Sequence, residues 1–275
     1  MPLSAPFPDL EELVATIGEA GLKLSRINAS EGAAGNISIC IGWSVEVRRR
    51  FPLSRSIELP SAVPALAGHV VLVTGSGRRL HDIHADPAAN LAAVVVAPGG
   101  TTGEMHTAPG CLFTQPTTEF NSHLAVHADQ VARTGTNLHA VIHAQPPHLT
   151  YLSHIPEYRD EKLLNQRLLR WEPETIVNLP RGIGVLRFIL PGSPALMEAT
   201  VASMRGHRVV LWSKHGVMAR SSVSATRAAD RVEYAETAAR YEYMNLVNHE
   251  RAEGLTRAEL VSVVDAFQVQ TELLG

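Results

Sequence analysis

Five short, mostly apolar runs limit what this chain can fold into: HVVLV (69–73), LAAVVV (91–96), AVIH (140–143), GVLRFIL (184–190) and RVVLW (208–212). They are too short for core helices and are rich in β-branched side chains. TGSG stops the first and PGG closely follows the second. Such runs are expected to be strands of the buried kind. Helical patterns lie around them. Leu10, Leu13, Val14 and Ile17 fall on one face, with Pro8 near the expected start and Gly21 near the expected end. Leu124, His127, Ala128 and Val131 form a second stripe. A short helix is expected to begin at the prolines of PPHLTYLSH, and another at ALMEATVASM (195–204). An alanine-rich helix is expected over 224–249, and Thr256 with Glu259 forms a capping box for a last one. The charged, proline-containing segment 48–64 reads as an exposed excursion. Strands alternating with helices give an α/β class. No internal repeat or linker divides the chain, so residues 1–275 are expected to form a single domain.

Composition narrows the function. The formal net charge of −3 offers no basic field for nucleic acid or an anionic membrane surface. No apolar run approaches the roughly 20 residues needed to span a bilayer. The start, MPLSAPFPDLEELV, lacks the basic-then-apolar order of a signal peptide. Two cysteines, Cys40 and Cys111, make no disulfide framework and suit a reducing, cytoplasmic location.

Four polar islands could carry chemistry. Gly35-Asn36-Ile37-Ser38 is a small loop that can turn backbone N–H groups and an amide toward an anion, or simply a turn before a strand. Thr74-Gly75-Ser76-Gly77 can hold a phosphate by the same physics, or be a plain glycine turn; its spacing fits neither a Walker loop nor a dinucleotide fingerprint. Thr117-Thr118-Glu119 precedes the second helix. Glu119 there is a general acid/base, or a helix-start carboxylate favoured by the macrodipole and partly exposed. His123 and His127, at i and i+4, share a face but lack the glutamate of a zinc-protease helix, so they read as packing residues. Finally, His143 and the His215 of Lys214-His215-Gly216 both follow apolar strands. They can converge on a metal if those strands are neighbours. Gly216 is expected to allow a sharp turn there.

In the order GNIS, TGSG, PTTE, IHAQPPHL and KHG, these islands resemble the class II aldolase/adducin family. VTGSG followed by DPAANL is the most discriminating block, and PTTEFNSHLAVH and VVLWSKHGV extend the likeness over nearly the whole chain. The closest likeness is to the branch that cleaves L-rhamnulose 1-phosphate. The resemblance implies a three-layer α/β/α fold with a mainly antiparallel central sheet, and a homotetramer with active sites at subunit interfaces. It implies a lyase that splits a ketose 1-phosphate into dihydroxyacetone phosphate and L-lactaldehyde. Glu119 matches the acid/base, and Glu172 lies where a further glutamate reaches a neighbouring subunit's site. Gly35, Asn36, Ser76, Gly77 and Thr118 match phosphate-binding positions. His143 and His215 match two of three zinc-binding histidines, and Gln145 stands in place of the other.

That glutamine leaves three outcomes open. Its amide oxygen ligates, giving a weaker zinc site or one suited to another divalent cation. Or His148 or Glu119 completes the shell, although His148 is expected to start a helix and face away. Or the site holds no metal and the protein is a pseudoaldolase or adducin-like binding scaffold. Epimerisation of a pentulose 5-phosphate is the rival within enzymes. Lys214, beside His215, is expected to be a structural or surface cation, since no Schiff base is needed.

Overall fold

The computed structural model describes residues 2–274. Nine strands form one sheet: β1 Asn36–Ile41, β2 Leu53–Glu58, β3 Val70–Thr74, β4 Leu91–Val96, β5 Thr102–Thr107, β6 Leu138–Ala144, β7 Ile183–Leu186, β8 Val209–Trp212 and β9 Gly216–Ser221. Their order is β2-β5-β4-β3-β1-β6-β9-β8-β7. Neighbours pair antiparallel except β7 and β8, which are parallel.

Helices cover both faces, giving the α/β/α layering. The helices Leu10–Arg26 and Ala225–Val247 lie over one face, where Ile37, Ile39 and Ile41 of β1 and Leu138, Ala140, Ile142 and Ala144 of β6 are buried. The helices Phe120–Thr134 and Pro194–Met204 lie over the other. Phe120 and Leu124 join Cys40, Val71 and Val73 there, and Val126 joins Val141, Trp212 and Met218. Each strand's period of two therefore sorts its residues between two cores. Among the described residues, no helix is long and apolar enough to cross a membrane.

The first helix begins with a capping box between Asp9 and Glu12 and runs to Arg26, past Gly21. A Cβ at Gly21 would come within 2.3 Å of the Leu80 carbonyl oxygen, so this glycine serves close packing rather than termination. Segment 48–64 is exposed along β2, the edge strand paired with β5, but it also buries Phe51, Leu59 and Val63 in the core, so it is not a free excursion. GVLRFIL is a strand only as far as Leu186, and Phe188 and Leu190 are exposed. The expected capping box between Thr256 and Glu259 starts the helix Arg257–Ala266.

Candidate active site

The site lies at one end of β1, β6 and β9, against the start of the Phe120–Thr134 helix. Adjacency in the sheet brings its parts together: β1 pairs β6 with Asn36 opposite His143, and β6 pairs β9. His215 sits in the tight connection from β8 to β9. Lys214 takes the left-handed φ of +66° there, and Lys214 is exposed, as expected of a surface cation. Gly216 serves something other than a sharp turn. A Cβ on it would meet the Ala144 carbonyl oxygen at 2.4 Å and the His143 ring at 3.0 Å. Its bare backbone lets the two histidine-bearing segments approach.

Ligand atoms of Glu119, His143 and His215 all lie within 4.8 Å of one another, a geometry that can hold a metal ion. His143 Nε2 is 3.6 Å from Glu119 Oε2, and His215 Nε2 is 3.7 Å from Glu119 Oε1. His143 Nδ1 donates to the Val217 carbonyl at 2.9 Å. With that proton placed, Nε2 presents its lone pair to the cluster, as a metal-binding imidazole must. Trp212 stacks on both imidazoles, with centroids 4.9 Å from His143 and 5.3 Å from His215. Its Nε1 donates to Thr200 Oγ1 at 3.0 Å, which fixes the indole under the rings.

Glu119 occupies the helix N-cap position, yet its side chain makes no capping hydrogen bond. It turns instead toward the histidines and is 6% exposed, so the expected partial exposure is not found. Asn36 Nδ2 donates to Glu119 Oε2 at 2.9 Å. Burial pushes the carboxyl pKa up, but His143, the Asn36 hydrogen bond and His215 outweigh this and hold it below the usual range. The carboxylate is thus ionised at neutral pH. Burial pushes the His215 pKa down, and His143 adds to this against the pull of Glu119. This donor set of two imidazoles and a carboxylate fits a divalent cation.

The phosphate-type islands meet beside this cluster. Thr117 N donates to the Thr74 carbonyl at 3.0 Å, and Ser76 N to the Gln115 carbonyl at 2.9 Å. Ile37 N donates to Thr74 Oγ1 at 3.2 Å, tying in the GNIS loop. Gly35 has φ of +85° with the His143 carbonyl close by, a combination that excludes a side chain. Ser76 is half-buried and Gly77 and Thr118 are exposed. A cavity of about 680 Å³, lined by Arg55, Gln115, Thr118 and Asn121 among others, opens beside the PTTE loop and does not include the histidines.

Glu172, an expected site residue, stands apart, and so does His148, expected to start a helix and face away. Glu172 precedes the helix Pro173–Asn178, outside the Glu119–histidine cluster, and burial raises its pKa, with Glu174 adding to the rise. His148 is held by Glu236, which accepts from its Nδ1 at 2.6 Å and from its backbone N–H at 3.1 Å. Half-buried Gln145 follows β6, and its Cγ lies 3.0 Å from where a Gly216 Cβ would be. Sequence reasoning gave no role to Trp212 or His139, and it named Ser38 only as part of the GNIS island. The signal for Trp212 was its place at the end of a buried strand, three residues before His215.

Residues 15–243 match the family described as "Class II Aldolase and Adducin N-terminal domain". The chain belongs to this family. It is a lyase of the aldolase type. A rhamnulose-1-phosphate aldolase from Klebsiella pneumoniae is 30% identical over 217 residues, spanning 78% of this chain and 77% of that protein. One from Yersinia pseudotuberculosis is 29% identical over 248 residues, 87% of each. Among solved structures, a sugar-phosphate aldolase from Thermotoga maritima superposes with a TM-score of 0.74 at 29% identity. That match covers 87% of this chain and 97% of the other.

Proposed function

We propose that this aldolase is metal-dependent and cleaves L-rhamnulose 1-phosphate to dihydroxyacetone phosphate and L-lactaldehyde. The observation that carries the reading is the convergence of Glu119, His143 and His215 from three separate parts of the chain. The two relatives named for that substrate favour rhamnulose over other ketose phosphates. His143 through Nε2 and His215 would hold the cation, with Glu119 beside them and Gln145 proposed as a further ligand through its amide oxygen. A mixed nitrogen and oxygen set of this kind takes Zn2+ and also suits other divalent cations. When bound, the cation supplies Lewis acidity toward the substrate carbonyl and an adjacent oxygen.

The chain's own residues do the remainder. In condensation, ionised Glu119 takes the proton from C3 of dihydroxyacetone phosphate while the aldehyde oxygen gains one to become the C4 hydroxyl; in cleavage the C4 hydroxyl gives up its proton and protonated Glu119 delivers one to C3, so protons balance in both directions. Desolvation beside the imidazoles keeps the Glu119 carboxylate close to the reacting carbon and away from bulk water. Asn36 already has its amide engaged. Ser76, Gly77 and Thr118 are therefore the proposed phosphate contacts, with Gly35 and Asn36 shaping the loop behind them. Anchoring the phosphate orients the bond to be broken. Glu172 is proposed to serve the site of a neighbouring subunit in a homotetramer, formed by a single-domain chain in the cytoplasm.

The test supplies purified protein with L-rhamnulose 1-phosphate and, separately, with ribulose 5-phosphate. Lactaldehyde in the first is the expected result; xylulose 5-phosphate in the second would replace this reading with epimerisation. Metal analysis of the wild type and of Gln145→His accompanies it. If the wild type binds no divalent cation while the variant gains both metal and cleavage, the reading fails for the natural protein.

A further inference from the structure

Behind Glu119 runs a line of buried polar side chains that the aldol reaction does not use. Asn36 Oδ1 lies 2.5 Å from His123 Nε2. Ser38 Oγ lies 2.6 Å from His123 Nδ1 and 2.7 Å from His127 Nε2. His127 Nδ1 lies 2.8 Å from His139 Nδ1. Ser38, His123 and His127 are fully buried, and His139 is nearly so. We propose that these residues form a proton-ordered chain of hydrogen bonds, every donor pointing toward Glu119, which locks the Asn36 amide in the one orientation that donates to the carboxylate. Its bearing on turnover rests on Glu119 being the acid/base; the proton order itself does not.

The order follows by elimination. The Asn36 amide faces Glu119 Oε2 with its Nδ2 at 2.9 Å and His123 Nε2 with its oxygen, which only accepts. His123 must then carry its proton on Nε2. Burial, and next the neighbouring His127, push its pKa down to about 3, so the ring is neutral and has no second proton. His123 Nδ1 is therefore an acceptor, and Ser38 must donate to it. That spends the one hydroxyl proton, so His127 must donate from Nε2 into the Ser38 lone pair. Burial also holds His127 well below its ordinary pKa, which leaves its Nδ1 as an acceptor. His139 must then be the Nδ1–H tautomer. Its Nε2 is left as a buried lone pair with no hydrogen-bond partner among the described residues.

The reverse order would place a proton on the Glu119 carboxyl and flip the Asn36 amide. The forward order thus belongs to the ionised base. It occupies Oε2 and leaves Oε1 facing His215. Ser38, His123, His127 and His139 are positioning residues in this scheme: they act on Glu119 through Asn36.

The experiment is histidine-selective 15N labelling and long-range 1H–15N correlation at pH 7, without metal or substrate. His123 and His127 are expected as Nε2–H tautomers and His139 as Nδ1–H. A doubly protonated ring among the three, or His139 as Nε2–H, overturns the proposal. Ser38→Ala and His123→Leu are expected to lower kcat about 10-fold or more, with KM changed less than about 3-fold. His123→Gln, which keeps an N–H aimed at Asn36, is expected to lose much less than His123→Leu. Equal losses in the two His123 variants would refute the positioning role. If the protein cleaves no sugar phosphate, the wild-type tautomers still decide the proton order, so the two failures are separable. If a variant fails to fold, that spectrum decides it as well.

Discussion

Gly216→Ala is the substitution that best separates a designed close approach from an incidental one. The added Cβ would lie 2.4 Å from the Ala144 carbonyl oxygen, and 3.0 Å from both His143 Cε1 and Gln145 Cγ. A carbon and an oxygen settle no closer than about 3.3 Å, so something must move by about 0.9 Å. The carbonyl cannot swing freely, because Ala144 is paired with Val217 across β6 and β9. The two strand ends must therefore separate, carrying His143 away from His215. Overpacking of this kind costs about 2 kcal/mol, or about 4–8 °C in melting temperature for a chain of this size. Displaced ligands should also weaken divalent-cation binding about 10-fold. Thermal melts of the apo protein and calorimetric titration with Zn2+ read the two effects. A variant that melts within about 1 °C of wild type and binds the cation equally well would show that this contact does not set the spacing of the histidines.

Glu119→Gln removes the base while keeping an amide that fills the same space; cleavage should fall by roughly 10²- to 10⁴-fold with an unchanged far-UV spectrum, and a loss under about 10-fold would remove Glu119 from the mechanism. Trp212→Ala takes away the surface on which both imidazoles stack and should cost about 3–5 kcal/mol in urea unfolding, with weaker metal binding; loss of stability alone would make Trp212 a core residue only. Acid should destabilise the fold through the buried histidines. Burial pushes His123 and His139 to about 3, and His127 well down, so the unfolded chain binds more protons than the folded one below the ordinary histidine pKa of about 6.5. Stability therefore rises with pH across that window. Between pH 7.5 and 5.5 the three rings together should remove about 4 kcal/mol of unfolding free energy, and a flat profile in urea titrations would contradict their neutral burial.

The central strands were legible because their apolar runs are longer than any loop would tolerate. Strand β4 matches LAAVVV end to end, and β6 extends AVIH by two residues before and one after. The strands TGEMHT and LSRSIE were not legible, and their composition explains it. Each is mostly polar, and β2 is an exposed edge whose register comes from pairing with β5 rather than from burial. GVLRFIL erred the other way. Its last residues are apolar yet exposed, and hydropathy alone cannot separate a covered strand from an apolar segment left at the surface of a single chain.

The site was legible wherever a residue's role depends on its strand end, and illegible where it depends on what covers the sheet. His143 and His215 could be expected to meet once their strands were neighbours. Ser38 and His139 could not be singled out, although the alternation that places them is plain in retrospect. NISICI puts its three isoleucines on one face and Asn36, Ser38 and Cys40 on the other, and LHAVIHA puts Leu138, Ala140, Ile142 and Ala144 on the first and His139, Val141 and His143 on the second. In an ordinary antiparallel sheet that reads as a core face and a wet face. Here both strands are buried throughout, because the Phe120–Thr134 helix lies over the polar face and brings His123 and His127 down onto it. A polar face sealed under a helix must satisfy itself, since each unpaired buried group costs roughly 1–3 kcal/mol. This polar stripe is held together by hydrogen bonds between strand and helix. It reaches the cluster through His143 itself and through the Asn36 amide, which donates to Glu119.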